Sequence, residues 1–170
     1  MLPDVLPPPG APFLVLFAGI NPSLRSWTSG HHFARPGNRF WPALHLAGFT
    51  PERFPPHRDG ELGALGVGIT NIASRPTRAA AELSPEELVE GRARLDALVR
   101  EREPRLVAIL GVTAWRTATG DKKVRLGVQP EPFGDRPLTV LPNPSGLNAN
   151  HQLPDLARLY GEARELALSR

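Results

Sequence analysis

Short, uninterrupted apolar runs alternate along this chain with longer segments in which apolar residues recur every three or four positions. Phe13 to Ala18 is apolar throughout and stops at Gly19, and Leu106 to Leu110 is apolar throughout and stops at Gly111. Runs of this length without polar alternation predict strands buried on both faces, as in a parallel sheet. Val67 to Ile72 and Leu138 to Leu141 are β-prone and predict two more.

Between these runs the period changes. Phe40, Trp41, Leu44 and Ala47 fall at helical spacing, with Gly48 where a C-terminal cap belongs. Ser84-Pro85-Glu86-Glu87 supplies a capping residue, a proline at the first helical position and a glutamate three residues after the cap. Leu88, Leu95, Leu98 and Val99 then extend an apolar stripe to about Arg102, a short helix follows near Thr113 to Thr119, and Leu153, Leu156, Tyr160, Ala163 and Ala167 share one face of a last helix. Strands alternating with helices predict an α/β layered architecture around a mostly parallel sheet. Residues 1–12 are proline-rich and predict an extended or poorly ordered arm, 19–36 a long loop, 51–60 a connector and 120–137 a turn-rich stretch with room for short strands.

Composition narrows the class. The 170 residues suit one domain, 1–170 with its arm, and 41% hydrophobic with 22% charged residues is ordinary globular usage. There is no cysteine, which removes disulfides, thiolate metal sites and iron–sulfur clusters. The first residues show no basic region followed by an apolar run, and no stretch approaches a membrane span, so a cytoplasmic protein with no membrane partner is expected; a monomer is expected as well. The net charge is +3, and Lys122 and Lys123 are the only lysines among 20 basic residues. Arginine forks bind phosphate, although a GC-rich genome enriches arginine equally.

In parallel sheets ligands bind beyond the carboxyl ends of strands. Two similar turns stand there: Gly19-Ile20-Asn21-Pro22-Ser23 after the first strand and Asn143-Pro144-Ser145-Gly146-Leu147-Asn148 after the last. Read alone, Asn21 is a turn residue that ties off a strand and Phe33 is no better a candidate than Phe40, whereas Leu147, set in a turn with Pro144, Gly146 and Asn148, favours an apolar wedge over a core position. Ser23 and Ser145 stand in no triad pattern, and His31 with His32 lacks a third metal ligand, so these histidines are expected in a loop near a polyanion. His151 is expected to touch phosphate or cap the last helix, and Arg25, Arg35 and Arg39 are candidate phosphate contacts.

The ordered set Gly19-Ile20-Asn21-Pro22, Gly30 to Trp41, Ala47-Gly48-Phe49-Thr50, Gly68-Ile69-Thr70-Asn71, Arg75-Pro76-Thr77 and Leu141 to Leu147 resembles the mismatch-specific uracil-DNA glycosylases and their thymine-DNA glycosylase relatives. The resemblance implies a three-layer α/β/α sandwich that works on double-stranded DNA containing uracil or a mismatch, without metal or organic cofactor. It assigns Asn21 to the attacking water, Ile20 to stabilising the departing base through its backbone, Phe33 to stacking on that base, and Ser26 to the pyrimidine C5 edge. It makes Leu147, beside the small Gly146, a wedge that fills the vacated stack, with Asn143 and Asn148 meeting the DNA around it. Asn71 and Ser74 lie where some relatives carry charged residues, which bears on substrate breadth. A catalytically silent DNA-binding module is the alternative from another class. A nucleotide-binding domain has neither G-x-G-x-x-G nor G-x-x-x-x-G-K-[ST] to support it.

Overall fold

The computed structural model of the chain describes residues 2–170. Five strands, β1 (Val15–Gly19), β2 (Val67–Asn71), β3 (Leu106–Leu110), β4 (Gly127–Val128) and β5 (Leu138–Leu141), form one sheet in the order β2-β1-β3-β5-β4. The first four positions in that order are parallel, and only β4 runs antiparallel, against β5. The two unbroken apolar runs become the central strands β1 and β3, because only there are both faces covered.

Alternation along those strands divides the interior into two layers. Val15 and Phe17 of β1, with Leu106, Ala108 and Leu110 of β3, face α2 (Phe40–Leu46) and α5 (Leu153–Leu168). Leu16 and Ala18, with Val107 and Ile109, face α3 (Pro85–Arg102) and α4 (Val112–Thr119). The result is an α/β/α sandwich, as the pattern and the resemblance predict.

Helix ends follow their local chemistry. The Ser84 hydroxyl accepts from the Glu87 backbone while the Glu87 carboxylate accepts from the Ser84 backbone, so the capping box at α3 is closed in both directions. α5 starts behind Gln152, with Asp155 reaching back to the Gln152 amide. His151 is therefore not the cap of the last helix.

Two segments depart from the expectations, and a third takes the extended one of its two expected forms. The loop 19–36 contains a short helix, α1 (Leu24–Ser29), because Ser23 caps it by accepting from Ser26 N–H and Gly30 closes it in a left-handed conformation. The connector after residue 50 winds into a 3-10 helix, Pro56–Leu65, started by a proline and stopped by Gly66. The proline-rich arm is extended and docked: Val5 makes an antiparallel bridge with Ile69 on the free edge of β2, through hydrogen bonds of 2.8 and 2.9 Å. That contact covers backbone groups that β2 would otherwise leave unpaired.

Candidate functional site

Parallel strands deliver their carboxyl ends to one edge, and there the segments after β1, β2 and β5 meet around a cleft of about 110 Å³. Of the residues singled out from the sequence, Ile20, Asn21, Ser26, Phe33 and Asn143 line it, whereas Gly146, Leu147 and Asn148 lie on the adjoining loop outside the lining.

Asn21 is held in one orientation. Its Nδ2 donates to the Arg75 carbonyl and to the Thr77 hydroxyl, both at 2.8 Å. A carbonyl can only accept, and the Thr77 hydroxyl spends its own proton on the Ala79 carbonyl, so both partners require the amide nitrogen on that side. The Oδ1 atom is thereby turned away from them, and no described residue donates to it. Arg75 is itself fixed, since its guanidinium pairs with Glu87 at 2.8 Å. That guanidinium holds the Glu87 carboxyl well below the usual carboxylate range, at about 2. Glu87 is therefore an ion-paired anchor for Arg75.

Phe33 lies flat on Phe40, ring centroids 4.1 Å apart and planes inclined by 21°. Its φ of 51° is unusual for a side chain of this size. A side chain at Gly19 would put its Cβ 3.3 Å from the Phe33 ring and 2.9 Å from Asn71 Oδ1, so a glycine at the end of β1 lets ring and amide close around the cleft. Asn71, at the carboxyl end of β2, lines the cleft, and neither end of its amide hydrogen-bonds another described residue. In the sequence Asn71 closes the Gly68-Ile69-Thr70-Asn71 match and stands where some relatives carry a charged residue; its position at the end of a β-prone run is the signal for a side chain in the site.

The segment before Phe33 is tied down. Ser26 is buried, and its hydroxyl accepts from Ala34 N–H at 3.0 Å while bonding Ser23. Buried Asp59, in the 3-10 helix, accepts from His32 N–H at 2.8 Å and contacts the His31 ring at 3.1 Å. His32 is also buried, with Nε2 2.8 Å from the Pro3 carbonyl, so Nε2 carries the proton. The pair was expected as loop histidines near a polyanion. His32 cannot serve so, because its ring is inside; burial lowers its pKa, against the smaller opposing effects of the Pro3 carbonyl and the Asp59 and Asp4 charges.

The loop after β5 is wound on its own side chains. Asn143 Oδ1 accepts from Ser145 N–H, Ser145 Oγ from Leu147 N–H, and Asn148 Nδ2 donates to the Asn143 carbonyl. Leu147 is left 68% exposed at its tip, which excludes the core reading. Gly146 passes so close to the loop of Gly37 that a Cβ would meet the Gly37 carbonyl oxygen at 2.8 Å. Arg39 joins the two loops: its side chain donates to the carbonyls of Pro144, Ser145, Asn148 and His151. It was a candidate phosphate contact and is instead committed to backbone. Arg35 and Arg78 line the cleft, exposed and without a carboxylate partner among the described residues. Among the described residues, no carboxylate lines the cleft itself.

The family model for the uracil DNA glycosylase superfamily matches residues 4–164. The chain belongs to that superfamily, whose members are glycosylases, and so hydrolases, that act on uracil in DNA.

The buried, neutral His32 makes stability depend on pH. Between its ordinary value of 6.5 and its lower folded value, the unfolded chain binds more protons than the folded one, so stability falls as pH drops through that range. His32→Gln is expected to flatten this part of a denaturation profile measured from about pH 7.5 down to about pH 5. Parallel profiles for parent and variant would exclude the assignment.

Proposed function

We propose that this superfamily member removes uracil from double-stranded DNA, preferring G·U mispairs, as a monofunctional hydrolase that flips the base and leaves an abasic site. The observation that carries the reading is Asn21, an amide anchored through its nitrogen by two obligatory acceptors so that its oxygen is free beside an aromatic ring and an unpartnered second amide.

Flipping uracil costs a few kcal/mol of pairing and stacking, and least in a mispair. The flipped ring stacks on Phe33, whose plane Phe40 supports from behind. The Asn71 amide, with a donor and an acceptor both unspent, offers the pattern a pyrimidine edge requires. Ser26 stands toward the C5 edge, where its size bears on tolerance of a methyl group. The N-glycosidic bond breaks with its electron pair going to N1 of the base, which leaves as an anion stabilised by polar groups that include the backbone at Ile20. The sugar passes through an oxocarbenium-like state. A water held by Asn21 Oδ1 bonds through its oxygen to C1′ and loses its proton to solvent, and the uracil anion is protonated in turn. An amide oxygen orients water but does not deprotonate it, and the cleft lining supplies no carboxylate to do so, so turnover is slow.

On the DNA side, Leu147 at the tip of its loop is the wedge that fills the space left by the base, with Gly146 giving it room and Asn143 and Asn148 bracing the turn. Arg35 and Arg78 meet the backbone phosphates. A catalytically silent binding module is the competing reading. Single-turnover incubation with a G·U duplex, then alkali to cut at abasic sites, separates the two. The parent is expected to cut, and Asn21→Ala to lose about 100-fold or more in rate while binding the duplex within a few-fold of the parent. Binding without cleavage by the parent would establish the silent module, and an unchanged Asn21→Ala rate would remove Asn21 from the chemistry.

The wedge has its own signature. Leu147→Ala should slow release from A·U more than from G·U, by a further factor of about three to ten, since the better-paired base needs more help to leave the stack. Equal losses on both duplexes would count against a wedge.

A further inference from the structure

The proline-rich arm does more than cover a sheet edge. It runs antiparallel to β2, so going backwards from Val5 it travels toward the carboxyl end of the parallel strands, where the cleft opens. Four attachments mark its course. Arg102 donates to the Pro7 carbonyl, Val5 pairs with Ile69, Asp4 Oδ1 accepts from the Thr70 hydroxyl at 2.8 Å, and the Pro3 carbonyl accepts from His32 Nε2 at 2.8 Å. Glycines open the path: a Cβ at Gly63 would lie 2.9 Å from the Leu6 carbonyl oxygen, and one at Gly68 3.1 Å from that of Val5. The arm ends, among the described residues, with Leu2 only 9% exposed and lining the same cleft as Ser26, His32, Phe33 and Asn71.

We propose that Leu2 is a specificity-determining residue, a wall of the base pocket that the arm carries there and that limits how large a base can enter. The inference rests on the reading of this cleft as a base pocket. Its physical basis is that a small cleft lined by an apolar side chain cannot admit a larger ring without displacing that side chain, which here means pulling it from packed surroundings. The arm can yield where a strand of the sheet cannot, because it is attached at separated points rather than by a continuous ladder. The hydrogen bond from His32 to Pro3 is the attachment nearest the pocket, and the same histidine precedes the stacking ring Phe33, so wall and platform are positioned together.

Two substitutions act in opposite directions. Leu2→Trp enlarges the wall. Val5→Pro removes the N–H that Val5 donates to Ile69, away from the pocket, and loosens the arm. Each is compared with the parent using duplexes that carry a single 2′-fluorinated deoxynucleoside of uracil or of hypoxanthine, which resist cleavage, so that affinity is read whether or not the protein is an active enzyme. The same bases as ordinary deoxynucleosides give single-turnover release.

Leu2→Trp is expected to weaken discrimination-corrected binding of hypoxanthine by about tenfold relative to uracil, and Val5→Pro to shift the ratio the other way by about threefold, each with a thermal midpoint near the parent's. A parent that prefers lesion duplexes over undamaged ones, with both ratios unmoved or with all affinities falling together, would overturn the arm's role while leaving the functional reading standing. A parent that shows no preference for lesion duplexes would overturn both.

Discussion

The site depends on one guanidinium. Arg39, at the start of α2, donates to four carbonyls of the loop that follows β5, and its own backbone N–H adds a bond of 2.9 Å to the Pro144 carbonyl. That loop has little apolar burial to hold it, since its largest hydrophobic side chain, Leu147, points into solvent. A polar clamp substitutes for a core. Guanidinium suits the task because it offers five donors in a fixed fork. Without it, the Asn148 and His151 carbonyls would lose this partner, and the loops after β1 and β5 would be joined only by the Arg39 backbone bond to Pro144 and the close passage of Gly146 over Gly37.

A second set of constraints works from the other side of the cleft. Glu87 caps α3 and pairs with Arg75, the Arg75 carbonyl takes the Asn21 amide, and Thr77 passes its own proton on to Ala79. The orientation of a single oxygen atom thus traces back to a helix cap some 66 residues further along the chain. Positioning of this kind fits chemistry in which the protein contributes orientation and preformed dipoles rather than a base. The division of labour among arginines follows the same logic: Arg39 and Arg75 are spent on the fold, and Arg35 and Arg78 stand at the cleft without a carboxylate partner among the described residues.

Much of this is legible in the sequence. The unbroken runs of β1 and β3 announced their central positions, and the Ser84-Pro85-Glu86-Glu87 box announced α3, because these signals are local and self-consistent. The two asparagine turns stood at strand ends for the same reason. What stayed hidden was decided by partners distant in sequence. Nothing near Arg39 says that its acceptors lie more than 100 residues away, and nothing near His32 says that Pro3 waits for its proton. The arm read as extended or poorly ordered because its prolines carry no periodicity; its docking comes from the free edge of β2, Thr70 and Arg102. α1 was missed because its six residues show no apolar stripe, and only the Ser23 cap and Gly30 stop delimit it.

The most direct test of the account is a crystal structure of the protein on a duplex holding a 2′-fluorinated deoxyuridine opposite guanine. The account predicts uracil outside the helix, stacked on Phe33 with its edge against Asn71, Leu147 in the vacated stack, and a water on Asn21 Oδ1 facing C1′. A uracil still paired in the helix, or a flipped base in another cavity with Asn21 far from C1′, would contradict it.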